Sequence, residues 1–175
     1  MEHTEIITAS ELSDYAQTRE SEAVIPELIW MLVKESVPDL TVCRIPYGDA
    51  INQPGWDGLV ETEKGCREFV PLQKSFWEIG TGGKPRDKAT KDFKTRTRNM
   101  NYDDRKEACY VFVTPHAGIT GNFNEPQQRK WKKRYAKFGW KDIKILDGIT
   151  LANWLREFPA IGKWLLKKTG RIAAD

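Results

Sequence analysis

The sequence predicts an α/β protein in which a central mixed β-sheet is flanked by helices on both sides. Two observations favour this class. Short segments rich in β-branched and aromatic residues alternate with longer amphipathic segments, and a run of strands precedes a helix–strand–helix–strand–helix order. The chain has 175 residues, about the length of one domain, so we expect a single domain over 1–175 with one active site.

Helices are predicted first, over 9–16 and 20–36, because the second segment carries an apolar stripe and ends at Val37-Pro38. A β-like segment over 40–46 leads into a loop rich in Gly, Pro and Asn over 47–55. A β-hairpin follows, with one arm over 56–62 and the other over 67–81, the latter kinked near Pro71.

The second half of the chain predicts alternating helices and strands. We expect a helix over 87–99, a buried strand over 108–115, a basic helix over 126–138 and a short strand over 142–146. Asp147 or Thr150 is expected to cap the next helix, and an amphipathic segment over 161–169 comes last. These elements complete the layers on the two sides of the sheet.

The composition argues against a membrane protein and against secretion. No apolar run reaches the roughly 18 residues that a membrane helix requires. The first residues, MEHTEIITASELSD, have neither a basic start nor an apolar stretch. We therefore expect a protein with no membrane partner and a cytoplasmic location.

Basic residues are concentrated in the middle and later parts of the chain. The segment 84–106 holds nine Lys or Arg against four Asp, and the segment 129–141 holds no acid. Clustered cations indicate an anionic partner such as nucleic acid, although a solvated helix face is the alternative for each segment alone. In the second segment the aromatic residues are spaced as one buried helix face. Its lysines then face outward as candidate nucleic-acid contacts: Lys130, Lys132 and Lys133.

One acidic residue occurs on each arm of the predicted hairpin. Asp57 lies in PGWDG, and Glu78 lies between Trp and Ile in SFWEIG, where a buried carboxylate is costly unless a metal or a cation pairs with it. Facing arms bring alternate residues onto one surface, so the two carboxylates converge if the register allows it. Neither has an evident cation near it in sequence, and we expect them to hold Mg²⁺ or Mn²⁺.

Several motifs in succession resemble a family of PD-(D/E)XK nuclease domains. They are PGWDG, PLQKSFWEIG, KATKDFKTRT, YVFVTP and WKDIKILDGITLANWLREFPAIGKWL, and the resemblance extends from the PELIWMLV helix to WLLKKTG. In that family such domains often form the N-terminal effector of large NACHT- or STAND-type ATPases in prokaryotic anti-phage defence. The resemblance implies a restriction-endonuclease-like core, with Asp57 as the metal-binding Asp and Glu78 as the acid of the (D/E)XK triplet.

The triplet departs from the family pattern, because it reads Glu78-Ile79-Gly80 and lacks the final lysine. Superfamily members are known to move this lysine to the following helix, which makes Lys88 the best candidate, with Lys91 and Lys74 as alternates. Lys74 and Lys91 also have an interpretation as phosphate-contacting or solvated residues.

Two further residues are site candidates. Related nucleases often take a metal ligand from the first core helix, so Glu27 is a candidate metal ligand, or else an ordinary acid near a helix start. Arg96 is a candidate for binding the scissile phosphate or its neighbour.

The expected function is a Mg²⁺-dependent endonuclease domain that cuts double-stranded DNA with little sequence preference, as an effector in anti-phage defence. One alternative is a catalytically inactive nucleic-acid-binding or assembly module of a larger NTPase. Another is a protein-interaction domain, for which apolar patches around Trp154 and Trp164 would be exposed. A larger NTPase or sensor polypeptide, a homo-oligomer and a preference for RNA are left open by the sequence.

Overall fold

The computed structural model describes residues 6–46, 55–66, 68–118 and 122–172. The expected loop over 47–55 lies outside this part of the chain except for its last residue. The first helices are α1 (Ala9–Tyr15) and α2 (Ser21–Ser36). Thr8 caps α1 in a capping box with Glu11, which satisfies two N–H groups at the helix start.

Five strands form one mixed sheet in the order β1-β2-β3-β4-β5. Their bounds are β1 (Leu40–Arg44), β2 (Gly58–Thr62), β3 (Gln73–Ile79), β4 (Ala108–Val113) and β5 (Asp142–Leu146). The first three strands pair antiparallel, whereas β3, β4 and β5 pair parallel. The predicted fold class, α/β with a central mixed sheet flanked by helices, is confirmed.

The second hairpin arm is shorter than predicted. Cys66 and Val70 form an isolated bridge that closes a short turn before the strand. Gln73, where β3 begins, has a positive φ. The strand therefore begins after Pro71 rather than at residue 67. The kink expected near Pro71 therefore marks the start of the strand. The proline, which has no N–H to donate, and the positive φ of Gln73 explain why the ladder with β2 begins only at Gln73.

The parallel strands are joined by helices that lie on one face of the sheet. After β3 come α3 (Pro85–Arg98) and α4 (Tyr102–Lys106), and after β4 comes α5 (Glu125–Tyr135), extended by a 3₁₀ turn over Ala136–Phe138. The chain ends with α6 (Gly148–Arg156), which the Asp147 side chain caps, and α7 (Pro159–Lys168). The five-residue helix α4 was not predicted.

Two apolar clusters cover the two faces of the sheet. Alternate residues of β3 and β4 point to opposite sides, so Trp77 and Val111 pack with α2, α6 and α7, whereas Tyr110 and Phe112 pack with α3 and α5. Trp131 and Tyr135 of α5 face this second cluster, as their spacing predicted. Phe138, expected on the same buried face, is exposed instead because the α-helix gives way to a 3₁₀ turn after Tyr135. Glu78 has the same strand parity as Phe76 and so belongs to the α3 side of the sheet. None of the described helices is long and apolar enough to cross a membrane.

Candidate active site at the end of the β2–β3 hairpin

The register of β2 and β3 brings Asp57 and Glu78 together. Gly58 pairs with Trp77, so the residue before Gly58 faces the residue after Trp77 across the two strands. The Asp57 Oδ2 atom accepts a hydrogen bond of 2.8 Å from the Ile79 N–H, which fixes this carboxylate beside the end of β3. Gly58 is needed for this close pairing, because a Cβ atom there would lie 3.0 Å from the Trp77 Cβ.

The Glu78 carboxyl group is buried and interacts with Asp57. Its residue is only 2% exposed. Burial, followed by the neighbouring Asp57 carboxyl, raises the pKa of Glu78 from 4.5 to about 9, against the opposing effect of Arg96. At neutral pH the Glu78 carboxyl group therefore keeps its proton, as expected for an acid placed beside a second carboxyl group in a poorly solvated place.

Arg96 pairs with Glu78, and this pairing was not predicted from the sequence. Its Nε donates to the Glu78 Oε1 atom, and its Nη2 donates to the main-chain oxygen of Gly55. The guanidinium group also lies over the Trp56 ring, 5.5 Å from the ring centre. Glu78 therefore does have a cationic neighbour, 18 residues further along the chain, and Arg96 is engaged within the protein in this structure.

A cleft of about 540 Å³ opens beside the two carboxylates. One wall is α2, the opposite wall is the first two turns of α3, and the floor is the end of β3 with the glycine-rich loop 80–83. Asp57 lines the cleft, whereas Glu78 lies behind it. The charged residues that line it are Glu22, Asp57, Lys84, Asp87, Lys88 and Lys91.

Lys88 lies over Gly80, the triplet position at which the family pattern has its lysine. A Cβ atom at Gly80 would lie 3.0 Å from the Lys88 Cγ and 3.6 Å from its Cε. The Lys88 Nζ is 2.9 Å from the Asp92 Oδ2 and 3.1 Å from its Oδ1, which holds the ammonium group on this side of α3. The lysine side chain therefore occupies the space into which a side chain at Gly80 would extend.

The other predicted lysines divide between the cleft and its surroundings. Lys91 lines the cleft one turn after Lys88. Lys74 does not: it lies four residues before Glu78 on the same strand face, roughly 13 Å along the strand, and pairs with Glu61 at 3.6 Å. The structure thus separates Lys74 from the carboxylate pair.

Glu27 is not among the residues that line the cleft. The two α2 residues that line it are Pro26 and, one turn before the proline, Glu22. Helix positions 22 and 26 share a face, whereas position 27 lies about 140° round the helix from position 22. Because a proline has no N–H, Pro26 cannot donate to the Glu22 carbonyl, so this turn of α2 presents an acidic side chain and a carbonyl without its helical partner beside the cleft. The internal proline was the sequence signal for this unpaired carbonyl.

The basic residues of α5 lie on the helix next to α3, outside the cleft. Trp131 donates a hydrogen bond of 3.0 Å to the Thr90 hydroxyl, which ties the two helices together. Lys130 and Lys133 are exposed and Lys132 is half-buried at the edge of the buried face. These lysines extend the positive surface of α3 sideways rather than contributing to the carboxylate pair.

His116 anchors the glycine-rich loop of the cleft. Its Nε2 lies 2.8 Å from the Thr81 carbonyl oxygen and its Nδ1 lies 3.2 Å from the Ser13 hydroxyl. A carbonyl only accepts, so Nε2 carries the proton and Nδ1 accepts from Ser13. His116 is therefore a structural residue that connects α1, the loop after β4 and the cleft floor.

The donor set suits Mg²⁺ or Mn²⁺ rather than a soft metal. Asp57 and Glu78 offer carboxylate oxygens, and Mg²⁺ is commonly held by one or two carboxylates together with water and substrate phosphate. The described residues contain no cluster of three or more His, Cys, Asp or Glu side chains that would form a complete protein cage. The arrangement thus fits an ion that completes its shell with water and phosphate.

The terminal tryptophans do not form an exposed apolar patch. Trp154 is fully buried, stacks on Phe69 with ring centres 5.0 Å apart, and donates to the Ser36 hydroxyl at 2.7 Å. Trp164 is half-buried beneath Lys168. The observation expected for a protein-interaction domain is therefore absent at these two residues.

Comparisons of the chain with protein-family models, with curated proteins and with solved structures found no match.

Proposed function

We propose that the chain is a nuclease domain that hydrolyses phosphodiester bonds of DNA with the help of Mg²⁺ or Mn²⁺. The observation that supports this most is the meeting of three chemically matched groups at one end of the sheet: the paired carboxyl groups of Asp57 and Glu78, and the Lys88 side chain, whose aliphatic part lies over Gly80. They converge beside a cleft that carries further lysines, which suits a polyanionic substrate.

Asp57 and Glu78 are the residues that would hold the ion. A bound divalent ion supplies an acidified water molecule and neutralises charge on the phosphate that is attacked. Asp57 is kept in place by the Ile79 N–H, so its free oxygen has a fixed direction. Glu78 would be a ligand in its deprotonated form, and its burial would make a positive ion a stronger partner than water.

Lys88 would stabilise the charge that develops on the phosphate and orient the attacking water. Asp92 forms an ion pair with its ammonium group and limits its motion. Lys84 and Lys91 lie along the same wall and would contact neighbouring phosphates without reading bases. We therefore expect cleavage with little sequence preference. Assignment to an anti-phage effector rests on the family resemblance.

Plasmid DNA incubated with Mg²⁺, Mn²⁺ or EDTA tests the proposal. The parent should nick and linearise the plasmid only with metal, and Asp57→Asn or Glu78→Gln should reduce the rate by about 10³-fold or more, because each removes a charged ligand. Glu61→Gln, a change of the same kind at the far end of the hairpin, is the matched control and should cut like the parent. Cleavage that persists in both site variants would contradict the proposal.

A catalytically inactive binding module is the second candidate, and the Glu78–Arg96 pair favours it, since an internal cation already satisfies one carboxylate. Binding measured by fluorescence anisotropy with a labelled duplex in Mg²⁺ distinguishes the two. Tight, salt-sensitive binding with no cleavage in either metal would select the inactive module.

A further inference from the structure

Arg96 holds the same carboxylate that the proposed function assigns to a metal ion. Its Nε donates to the Glu78 Oε1, its Nη2 donates to the Gly55 carbonyl, and its guanidinium lies over Trp56. The side chain is 25% exposed, so it reaches from the buried carboxylate to the protein surface. A divalent ion and this guanidinium would compete for the same oxygen.

Formal charges show why the competition involves the substrate. In the metal-bound site both carboxylates would be ionised, so that together with Arg96 and the divalent ion they would carry one net positive charge in a poorly solvated place. One phosphate group restores neutrality. An unbalanced buried charge is costly, so an ion entering alone is disfavoured relative to an ion entering with a phosphate.

We propose that Arg96 is a resident hydrogen-bond donor to Glu78 that leaves this carboxyl group for a DNA phosphate when the divalent ion binds, so that metal and DNA bind cooperatively. The inference rests on the proposed function and adds how the site is kept inactive without DNA. A guanidinium suits both partners, because its forked N–H groups bind carboxylate and phosphate in the same two-point geometry.

Arg96→Gln and Arg98→Gln form a matched pair of variants. Both remove one positive charge from the last turn of α3, but Arg98 is exposed and has no described contact with Glu78. The probe is Mn²⁺ alone, measured as free ion by electron paramagnetic resonance, with and without a short duplex carrying phosphorothioate linkages that resist cleavage. Thermal melts with EDTA verify that each variant folds.

In the parent, DNA should tighten Mn²⁺ binding by about tenfold or more, and Mn²⁺ should tighten DNA binding by the same factor. Arg96→Gln should bind Mn²⁺ alone about three- to tenfold more tightly than the parent, because the competing positive charge has gone, and the effect of DNA should shrink towards none. Arg98→Gln should retain the parent's coupling. Arg96→Lys keeps the charge without the fork, so its Mn²⁺ affinity should stay near that of the parent while the coupling falls.

Equal or weaker Mn²⁺ binding by Arg96→Gln, with unchanged coupling, would show that Arg96 only supports the fold and would overturn the inference. If Arg96→Gln shows no cooperative melt, Trp56→Leu takes its place, since it removes the ring under the guanidinium while keeping every charge. The affinity for Mn²⁺ alone and its coupling to DNA should then change in the same directions as expected for Arg96→Gln. If Asp57→Asn abolishes Mn²⁺ binding, but neither Arg96 variant nor Trp56→Leu alters it, this inference alone is overturned. No Mn²⁺ binding by the parent or by the Arg96 variants, with or without DNA, overturns the proposed function as well.

Discussion

One face of the β2–β3 hairpin has an acidic residue near each end, each paired with a base, and the two pairs differ in burial. Lys74 and Glu61 face each other across the strands at 3.6 Å, with side chains 46% and 36% exposed. Arg96 and Glu78 form the other pair, with side chains 25% and 2% exposed. The first pair is solvated, so each charge would be stable without its partner, whereas Glu78 depends on what surrounds it.

This difference in burial indicates where chemistry can occur on the hairpin. A solvated carboxylate attracts a metal ion weakly because water already stabilises its charge. A buried carboxylate beside a second carboxylate gains from any cation that reaches it. The cleft beside Asp57 supplies that access at one end of the hairpin.

After the two carboxylate variants, the largest effect is expected at Lys88. Lys88→Ala should lower the cleavage rate by about 10²-fold with folding and DNA binding largely retained, because a charge at the reacting phosphate is lost. Rates are compared by single-turnover plasmid nicking. Full activity of Lys88→Ala would transfer the role to Lys91, the other predicted lysine near Glu78 that lines the cleft.

A swap of positions sharpens the assignment of Lys88. The space beside Gly80 is filled by Lys88, and the Gly80 backbone does not adopt a positive φ. Gly80→Lys alone should therefore crowd the site and lower the melting temperature, whereas Gly80→Lys in the Lys88→Ala protein should restore part of the activity. A double variant no better than Lys88→Ala would argue against an exchangeable position for the ammonium group.

Asp57 and Glu78 could be chosen from sequence because local signals marked both. A Glu between Trp and Ile in a strand is unusual, and glycines flanked the Asp closely enough to suggest a tight turn. The mixed sheet and the buried position of Trp131 and Tyr135 on α5 followed from sequence patterns in the same way. Arg96 was chosen as a phosphate ligand, but its pairing with Glu78 depends on how α3 is placed against the sheet.

The rotation of a helix about its own axis, which decides the residues that face the site, is harder to predict than the presence of the helix. Helix α2 is buried over most of its circumference, so its apolar pattern did not show whether Glu22 or Glu27 faces the cleft. Helix α4 has no buried residue, and hydrophobic periodicity could not reveal it. Its signals were the Asn101 cap, acids in the first turn and bases in the last.

The next prediction concerns pH. The pKa of Glu78 is raised to about 9, so the folded protein keeps a proton that the unfolded chain releases above pH 4.5. This contribution to the free energy of unfolding is fully present below pH 4.5 and is lost as the pH rises towards 9, by an amount on the order of a few kcal/mol. Urea unfolding in EDTA at pH 5, 7 and 9 should show the decline in the parent and a flatter profile in Glu78→Gln.

Two comparisons make the pH experiment specific. Glu61→Gln, at the solvated end, should leave the parent's pH profile unchanged. Added Mg²⁺ should have the opposite dependence, with a stabilisation that grows as the pH rises, because the ion requires the deprotonated carboxylate. A Glu78→Gln profile that declines as steeply as the parent's would mean that another group causes the loss of stability.

A smaller effect is expected at α5. Charge reversal at Lys130, Lys132 and Lys133 should weaken duplex binding by about tenfold for all sequences and reduce the slope of log Kd against log salt, since phosphate contacts release counterions. Fluorescence anisotropy at several salt concentrations measures both. Charge reversal at Arg156, Lys163 and Lys168, exposed residues of α6 and α7 on the other sheet face, makes the same change in net charge and should have much less effect. Equal losses in the two triple variants would indicate a general charge effect without a defined surface.

The smallest effect is expected at Lys74, the solvated counterpart of the cleft cations. Lys74→Ala removes the ion pair with Glu61, and exposed pairs of this kind contribute about 0–1 kcal/mol, so the melting temperature should change little. Cleavage should match that of the parent, because Lys74 lies roughly 13 Å along the strand from Glu78 and does not line the cleft. Binding to a long duplex should fall by less than about threefold if a phosphate passes this end of the hairpin. A loss of cleavage as large as that in Lys88→Ala, with folding intact, would show that the solvated end takes part in catalysis and that burial does not separate the two pairs.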